Sequence, residues 1–411
     1  MTNTKHHKHV VAACYLGWTL DAFDFFIMVF VFGDVAKTFG IGVTSVVYAV
    51  TLTLGMRAAG AYLFGRLADR YGRRPALMAS ILGFSFLGFC TGLAPNATVF
   101  FIVRALFGLA MGGEWGVGAS LTMESIPAHW RGPVSGLLQA GYPSGYLLAS
   151  LLYLAYPWLG WRGMFMAGAV PALLVFYIRS NVPESPDWTA RTGAATASTA
   201  PVQTLGGILR GHLGLVVYAA GLMACFNFFS HGTQDMYPHY LQTQHGLVHA
   251  RLTTIVVIYN IGAILGGITF GSLSQRIGRR LAIGLAAGLS LAVLPLWALS
   301  STPVWIGIGA FLMQFCVQGA WGVIPVYLNE LSPSAIRGTF PGLTYQLGNF
   351  LAAINAPLQS GLAVRLGNDF RWPLAGVAGA AAVLIILFML LGREAKDVRM
   401  GQFGHASPVE P

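Results

Sequence analysis

GRLADRYGRR at residues 65–74 returns as GSLSQRIGRR at 271–280, 206 residues further along the chain. Two more pairs keep that interval, GGEWGV at 112–117 with QGAWGV at 318–323, and ESIPAHWRG at 124–132 with ELSPSAIRG at 330–338. Three matches at one spacing define two similar halves in the same orientation, an arrangement that puts a binding site between them.

The material of the halves is set by composition. Of 411 residues, 55% are hydrophobic and only 9% charged, which no water-facing surface tolerates. Apolar runs long enough to cross a bilayer as helix recur along the chain. Twelve are expected, near residues 10–32, 44–65, 75–94, 98–123, 132–156, 161–179, 212–233, 252–272, 281–299, 303–329, 338–362 and 373–392. MTNTKHHKHV runs straight into the first of them without a cleavage pattern, so that span is expected to stay. Cys14, Cys90, Cys225 and Cys316 all fall inside apolar runs, without metal-ligand spacing.

Most of the 24 Lys and Arg residues fall in loops on the side of both termini. Retention of cations inside the cell makes that side cytoplasmic and explains the net charge of +10 without nucleic acid. The expected organisation is a first six-helix half over 1–180, a connector over 181–211 rich in Pro, Ala, Ser and Thr and mostly flexible, a second half over 212–393, and a cytoplasmic tail over 394–411.

On these residues the chain resembles the major facilitator superfamily over nearly its whole length. GRLADRYGRR is similar to that superfamily's loop between spans two and three, and Arg104 with Gly108 and Gly112 to its fourth-span pattern. The resemblance implies an all-α fold of twelve transmembrane helices, in which Asp69, Arg73 and Arg104 belong to a conformational latch. The second copy carries Gln275 where Asp69 stands in the first, so the latch is expected to be asymmetric.

A charge at the middle of a spanning helix costs roughly 2.5–3.5 kcal/mol on insertion scales, so each needs a partner or a task. The candidates are Asp21, Asp24, Arg57, Glu114, His231 and Asp235. Asp21 and Asp24 share a helical face in LDAFDFF, and the 206-residue interval maps them onto Asn227 and Ser230. Asn227, Ser230, His231, Gln234 and Asp235 then recur at helical spacing, as one stripe facing a central cavity opposite the acidic face.

NFFSHGTQDMYPH at 227–239 resembles the pattern NxxSHxTQDxxxT of the Jen-type lactate and pyruvate permeases, within the sialate:proton symporter group, departing where His239 replaces Thr. The resemblance implies substrate contacts at Arg57, Asn227, His231, Gln234, Asp235 and Gln346; Ser230 of the stripe and Asn349 of YQLGN (345–349) are added as further candidates. The chemistry agrees, since a guanidinium in a low-dielectric cavity binds a carboxylate through two parallel hydrogen bonds. If Arg57 were instead permanently neutralised by Asp21 or Asp24, an uncharged substrate would fit better.

Proton coupling needs buried groups whose proton affinity changes as the cavity opens and closes. Asp21, Asp24, Glu114 and His231 are the candidates. With no nucleotide loop, metal cluster or nucleophile constellation in the sequence, the expectation is a monomeric, non-enzymatic proton symporter of the inner (plasma) membrane. It would need no cofactor beyond the coupling proton and would move a short monocarboxylate such as lactate or pyruvate. Sialate, a dicarboxylate, an aromatic acid or a non-transporting sensor are the alternatives.

Overall fold

The computed structural model describes residues 4–196, 207, 210–247, 249–396 and 398, and these form helices and turns without a strand. Twelve spans are present among them. The first half holds Thr4–Phe30, Val43–Tyr71, Arg73–Gly92, Ala97–Met111 with Glu114–Ser125, Arg131–Gln139 with Gly141–Tyr153, and Tyr156–Ala167 with Ala172–Asn181. The second holds Leu213–Gln234, His249–Ile277, Arg279–Leu299, Pro303–Trp321 with Ile324–Leu331, Phe340–Ala352 with Asn355–Arg365, and Arg371–Leu391.

Several spans are broken where one continuous run was expected. Proline explains four of the breaks, because its ring clashes with the carbonyl four residues earlier and it lacks an N–H. Pro143, Pro171 and Pro325 each sit four residues past the place where their span interrupts, after Gln139, Ala167 and Trp321, and Pro357 sits five past Ala352. The sixth span bends by 41° at its break. Eight helices are long and apolar enough to cross a bilayer on composition alone, and the bent sixth span makes nine. Spans two, five and eleven are less apolar because they carry buried polar groups inward: Arg57, Gln139, Gln346, Asn349, Asn355 and Gln359. Irregular, polar backbone at membrane depth is tolerated where protein or a cavity covers it. Leu281, Leu285, Leu289, Leu384, Leu387 and Leu391 are exposed on the outside of the bundle, where lipid takes the place of a protein partner.

The repeat is visible in the backbone. Gly72 and Gly278, 206 residues apart, turn the chain between adjacent spans with φ of 109° and 99°, values that an L side chain rarely adopts. Behind each turn a distant carboxylate caps the following helix. Glu184 accepts from the Arg73 and Arg74 amides at 2.8 and 3.2 Å, and Glu394 from those of Arg279 and Arg280 at 3.0 and 3.1 Å. Each satisfies orphan N–H groups and complements the helix dipole.

On the side carrying the termini, the halves meet through glycines. A Cβ on Gly136 would lie 2.2 Å from the Gly267 oxygen, and one on Gly116 would lie 2.6 Å from the Gly342 Cα. Ser135 Oγ donates to Gly322 O at 2.7 Å and Ser120 Oγ to Arg337 O at 2.7 Å across the same seam. The molecule is therefore closed on its terminus side.

Candidate functional site

Arg57, from the middle of span two, is 3% exposed and meets Asp21 of span one through a single 3.4 Å contact between Nη2 and Oδ2. Charge-assisted bonds are normally about 2.7–2.9 Å. Arg57 Nε and Asp21 Oδ1 are buried without partners, so the pair is only half engaged. On the opposite wall, His231 Nδ1 lies 3.1 Å from Asp235 Oδ1 and Nε2 lies 3.3 Å from Asn349 Oδ1. Asn349 Nδ2 in turn donates to Gln346 Oε1 at 3.4 Å. The His231 side chain is 29% accessible while protein surrounds it, as expected of a group lining a narrow cavity.

Aromatic rings close the terminus-side end of this space. Tyr345 sits between Trp115 and Trp321, the symmetry-related tryptophans, at centroid distances of 4.7 and 5.5 Å. Trp18 stacks on Tyr142 at 5.6 Å, with the Arg57 guanidinium 5.9 Å from its ring. Such contacts add to area burial, so this floor binds one half to the other.

The rest of the polar stripe fans out. Gln234 donates to Gln314 Oε1 at 2.9 Å, and Gln314 donates to Thr233 Oγ1 at 3.0 Å, tying the stripe to span ten. Asn227 is 2% exposed, and its Nδ2 donates to the Met223 carbonyl of its own helix. Ser230 is half-buried, and His239 packs edge-on against Phe370 at 5.1 Å. Gln314, Tyr142 and Tyr345 were missed in the sequence reading; a glutamine inside an apolar run, with Gln318 one turn further on, was the available signal for Gln314.

Two expectations need correction. Asp24 does not share the cavity face with Asp21. A Cβ on Gly168 would lie 2.8 Å from Asp24 Oδ1, so its carboxyl points into the first half toward spans three and six. Three residues along a helix leave about 60° between side chains, enough to put the two acids on different walls. Arg104 is not in the latch. It is fully buried beneath Phe107, 4.0 Å from that ring centroid, and Asp24 is the opposite charge bearing on it. Glu114 is 1% exposed with both oxygens unpartnered, packed against Gly17, and feels the charges of Asp21 and Arg57.

The latch itself centres on Asp69. Its carboxylate accepts from Gly338 N at 2.9 Å, Thr339 N at 3.1 Å and Thr339 Oγ1 at 2.6 Å, all in the other half. Arg73 bridges Asp69 at 3.0 Å and grips Glu124 with two nitrogens at 3.1 and 3.0 Å. The second copy repeats this more weakly across the seam: Arg279 grips Glu330 at 2.9 and 3.0 Å and donates to Gln275 Oε1 at 3.0 Å, and Gln275 Oε1 accepts one bond from the other half, from Gly132 N at 3.1 Å. The asymmetry is thus one of strength, since the neutral amide still bridges the halves. The connector is less loose than its composition suggests. Helix Pro186–Thr196 bears on the latch, with Asp187 paired to Arg337 and Trp188 Nε1 donating to the Asp69 carbonyl at 3.0 Å. Residues 197–206, 208–209, 397 and 399–411 of the connector and tail lie outside the described residues. Burial pushes the Asp69 and Asp187 carboxyls above their ordinary range, against the pull of Arg73 and Arg337.

Two pseudo-symmetric six-helix halves, sealed on one side beneath a partly accessible polar wall at membrane depth, define a multi-pass membrane transporter rather than an enzyme. The chain belongs to the Major Facilitator Superfamily, whose family model matches residues 14–354 and 235–404. It is 30% identical to a carboxylic acid transporter protein homolog of Saccharomyces cerevisiae, over 92% of this chain and 67% of that one. It is 28% identical to a probable 4-methylmuconolactone transporter of Cupriavidus pinatubonensis, over 98% and 94%, and 28% identical to the sialic acid transporter NanX of Escherichia coli, over 83% and 84%. The proton:xylose symporter XylE shares the fold at a TM-score of 0.79 and 20% identity, covering 97% of this chain and 98% of its own.

Proposed function

We propose that the protein carries small organic-acid anions together with protons across the cell's inner membrane by alternating access, with the terminus side cytoplasmic. The observation that carries this reading is the half-engaged Arg57–Asp21 pair beside a cavity lined by His231, Asp235 and Asn349. A proton on Asp21 removes its claim on Arg57, and the freed guanidinium takes the substrate carboxylate in two parallel bonds. Proton and anion then enter together, and the site keeps its charge. Inside the first half, three carboxylates, Asp21, Asp24 and Glu114, face two guanidinium groups, Arg57 and Arg104. A proton is the counterion that balances them, which supports coupling over simple anion diffusion. Asn349, Gln346 and Gln234 would orient a hydroxyl or keto oxygen.

Within this class the motif at 227–235 supports lactate or pyruvate. A second reading, a planar unsaturated or aromatic acid, is favoured by the rings of Trp18, Tyr142, Trp115 and Tyr345 around the site. Relatives named for sialic acid and 4-methylmuconolactone support an organic acid in general. Competition against labelled pyruvate in proteoliposomes by lactate, succinate, benzoate, muconate and sialate separates the two readings. Displacement by lactate at the lowest concentration supports the first, and displacement by benzoate or muconate well below lactate replaces it with the second.

A further inference from the structure

Beside Glu114 lies a small void of about 10 Å³, lined by Cys14, Trp18, Trp115, Gly118, Leu138 and, from the other half, Pro325. That is about the space one water needs. The polar groups facing it lack partners: both Glu114 oxygens and Trp18 Nε1 are buried and unbonded. Its wall is shared between the halves, and Pro325 lies in the first turn of Ile324–Leu331, the terminus-side piece of span ten, just past that span's break. Movement of the halves apart on the terminus side takes Pro325 away and opens the void to that side.

We infer that this void is the proton's exit: a water bridges Trp18 Nε1 and Glu114, and Glu114 hands the coupling proton to the terminus side only when Pro325 withdraws. The inference rests on the proton-coupled reading above. The proton leaves Asp21 as substrate is released, Asp21 returns to Arg57 as carboxylate, and Glu114 carries the proton until water reaches it. The charged and titratable groups facing Glu114 are Asp21 and Cys14 on span one and Arg57 on span two, while Leu138 and Pro325 close the void with apolar surface. Burial without partners is costly for a structural carboxylate, and a transient proton carrier accounts for it.

Cys14 is a native reporter of the void. With Cys90, Cys225 and Cys316 replaced by alanine, Cys14 should resist a small thiol reagent such as N-ethylmaleimide in the closed molecule. It should react at least tenfold faster when Gly136→Trp holds the terminus side open. Equal labelling in both, or labelling in neither, overturns the gate. Glu114→Gln should lose at least tenfold in gradient-driven accumulation of a labelled acid, while exchange of preloaded acid, which needs only the proton held on Asp21, continues. If the parent accumulates acid and Glu114→Gln does so equally, the exit assignment fails alone. If the parent shows no gradient-driven accumulation, the proton-coupled reading itself fails.

Discussion

Removing Asp69 should shift the resting conformation far more than removing its counterpart Gln275. Asp69 binds the other half through three hydrogen bonds to a side chain that is 4% exposed, whereas Gln275 binds the other half through one neutral bond from Gly132 N. Hydrogen bonds to charged groups contribute about 1.5–3 kcal/mol each, against about 0.5–1.5 for neutral ones. Much of the Asp69 gain is offset because an open latch exposes the same carboxylate to water. A net change of about 1–3 kcal/mol remains, or roughly 5–150-fold in the closed-to-open ratio. Gln275→Ala loses a single neutral bond between the halves, its other bond, from Arg279, lying within one half, and should move the ratio by only about 2–10-fold. Spin labels at Arg70→Cys and Arg276→Cys, exposed and symmetry-related at the terminus-side ends of spans two and eight, report the separation of the halves. Asp69→Ala should populate a longer distance that Gln275→Ala barely shows. A larger shift for Gln275→Ala would refute the assignment of strength to the charged copy.

Arg57→Ala should abolish saturable acid uptake while the protein still reaches the membrane, and Arg57→Lys should restore little, because an ammonium lacks the planar fork; undiminished uptake would remove Arg57 from the site. Gly136→Leu, whose side chain would enter the space of the Gly267 carbonyl, should hold the terminus side open and lengthen the same spin-label distance. Acidification from pH 7 toward 5 should favour the closed latch: Asp69 and Asp187 are raised by burial there and ordinary when hydrated, so the closed state binds more protons over that window and gains as pH falls. A shift toward the open state on acidification would reverse the sign of this argument. On the far side, Asp369 accepts from Arg371 and Gln244, which hold its carboxyl well below the usual range. The effect of Arg371→Ala on melting temperature should therefore be the same at pH 7 and pH 5, and should disappear only in much stronger acid.

The duplication, the membrane class and the positions of the spans were readable because they are periodic or compositional. The repeat at 65–74 and 271–280 even anticipates the paired positive-φ glycines Gly72 and Gly278. The breaks were not anticipated, since each span was expected as one continuous run, although Pro143, Pro171, Pro325 and Pro357 were the available signal. What the chain does not display is which wall a side chain faces once every face of its helix is buried. Asp21 and Asp24 look alike at a three-residue spacing, yet one meets Arg57 and the other turns toward Arg104. Asn227 fits the polar stripe by spacing but bonds its own backbone. The connector reads as loose from its Pro, Ala and Ser content, whereas Asp187 and Trp188 find partners 150 and 119 residues away in sequence, contacts that no local pattern encodes.

The central claim is that acid anion and proton move together around Arg57. Proteoliposomes in weak buffer, given a pulse of external pyruvate or lactate and watched with a pH electrode, test it most directly. The account predicts alkalinisation of the medium that saturates with acid concentration and is absent from Arg57→Ala vesicles. Uptake of the acid with no change in external pH, or with acidification, would contradict it.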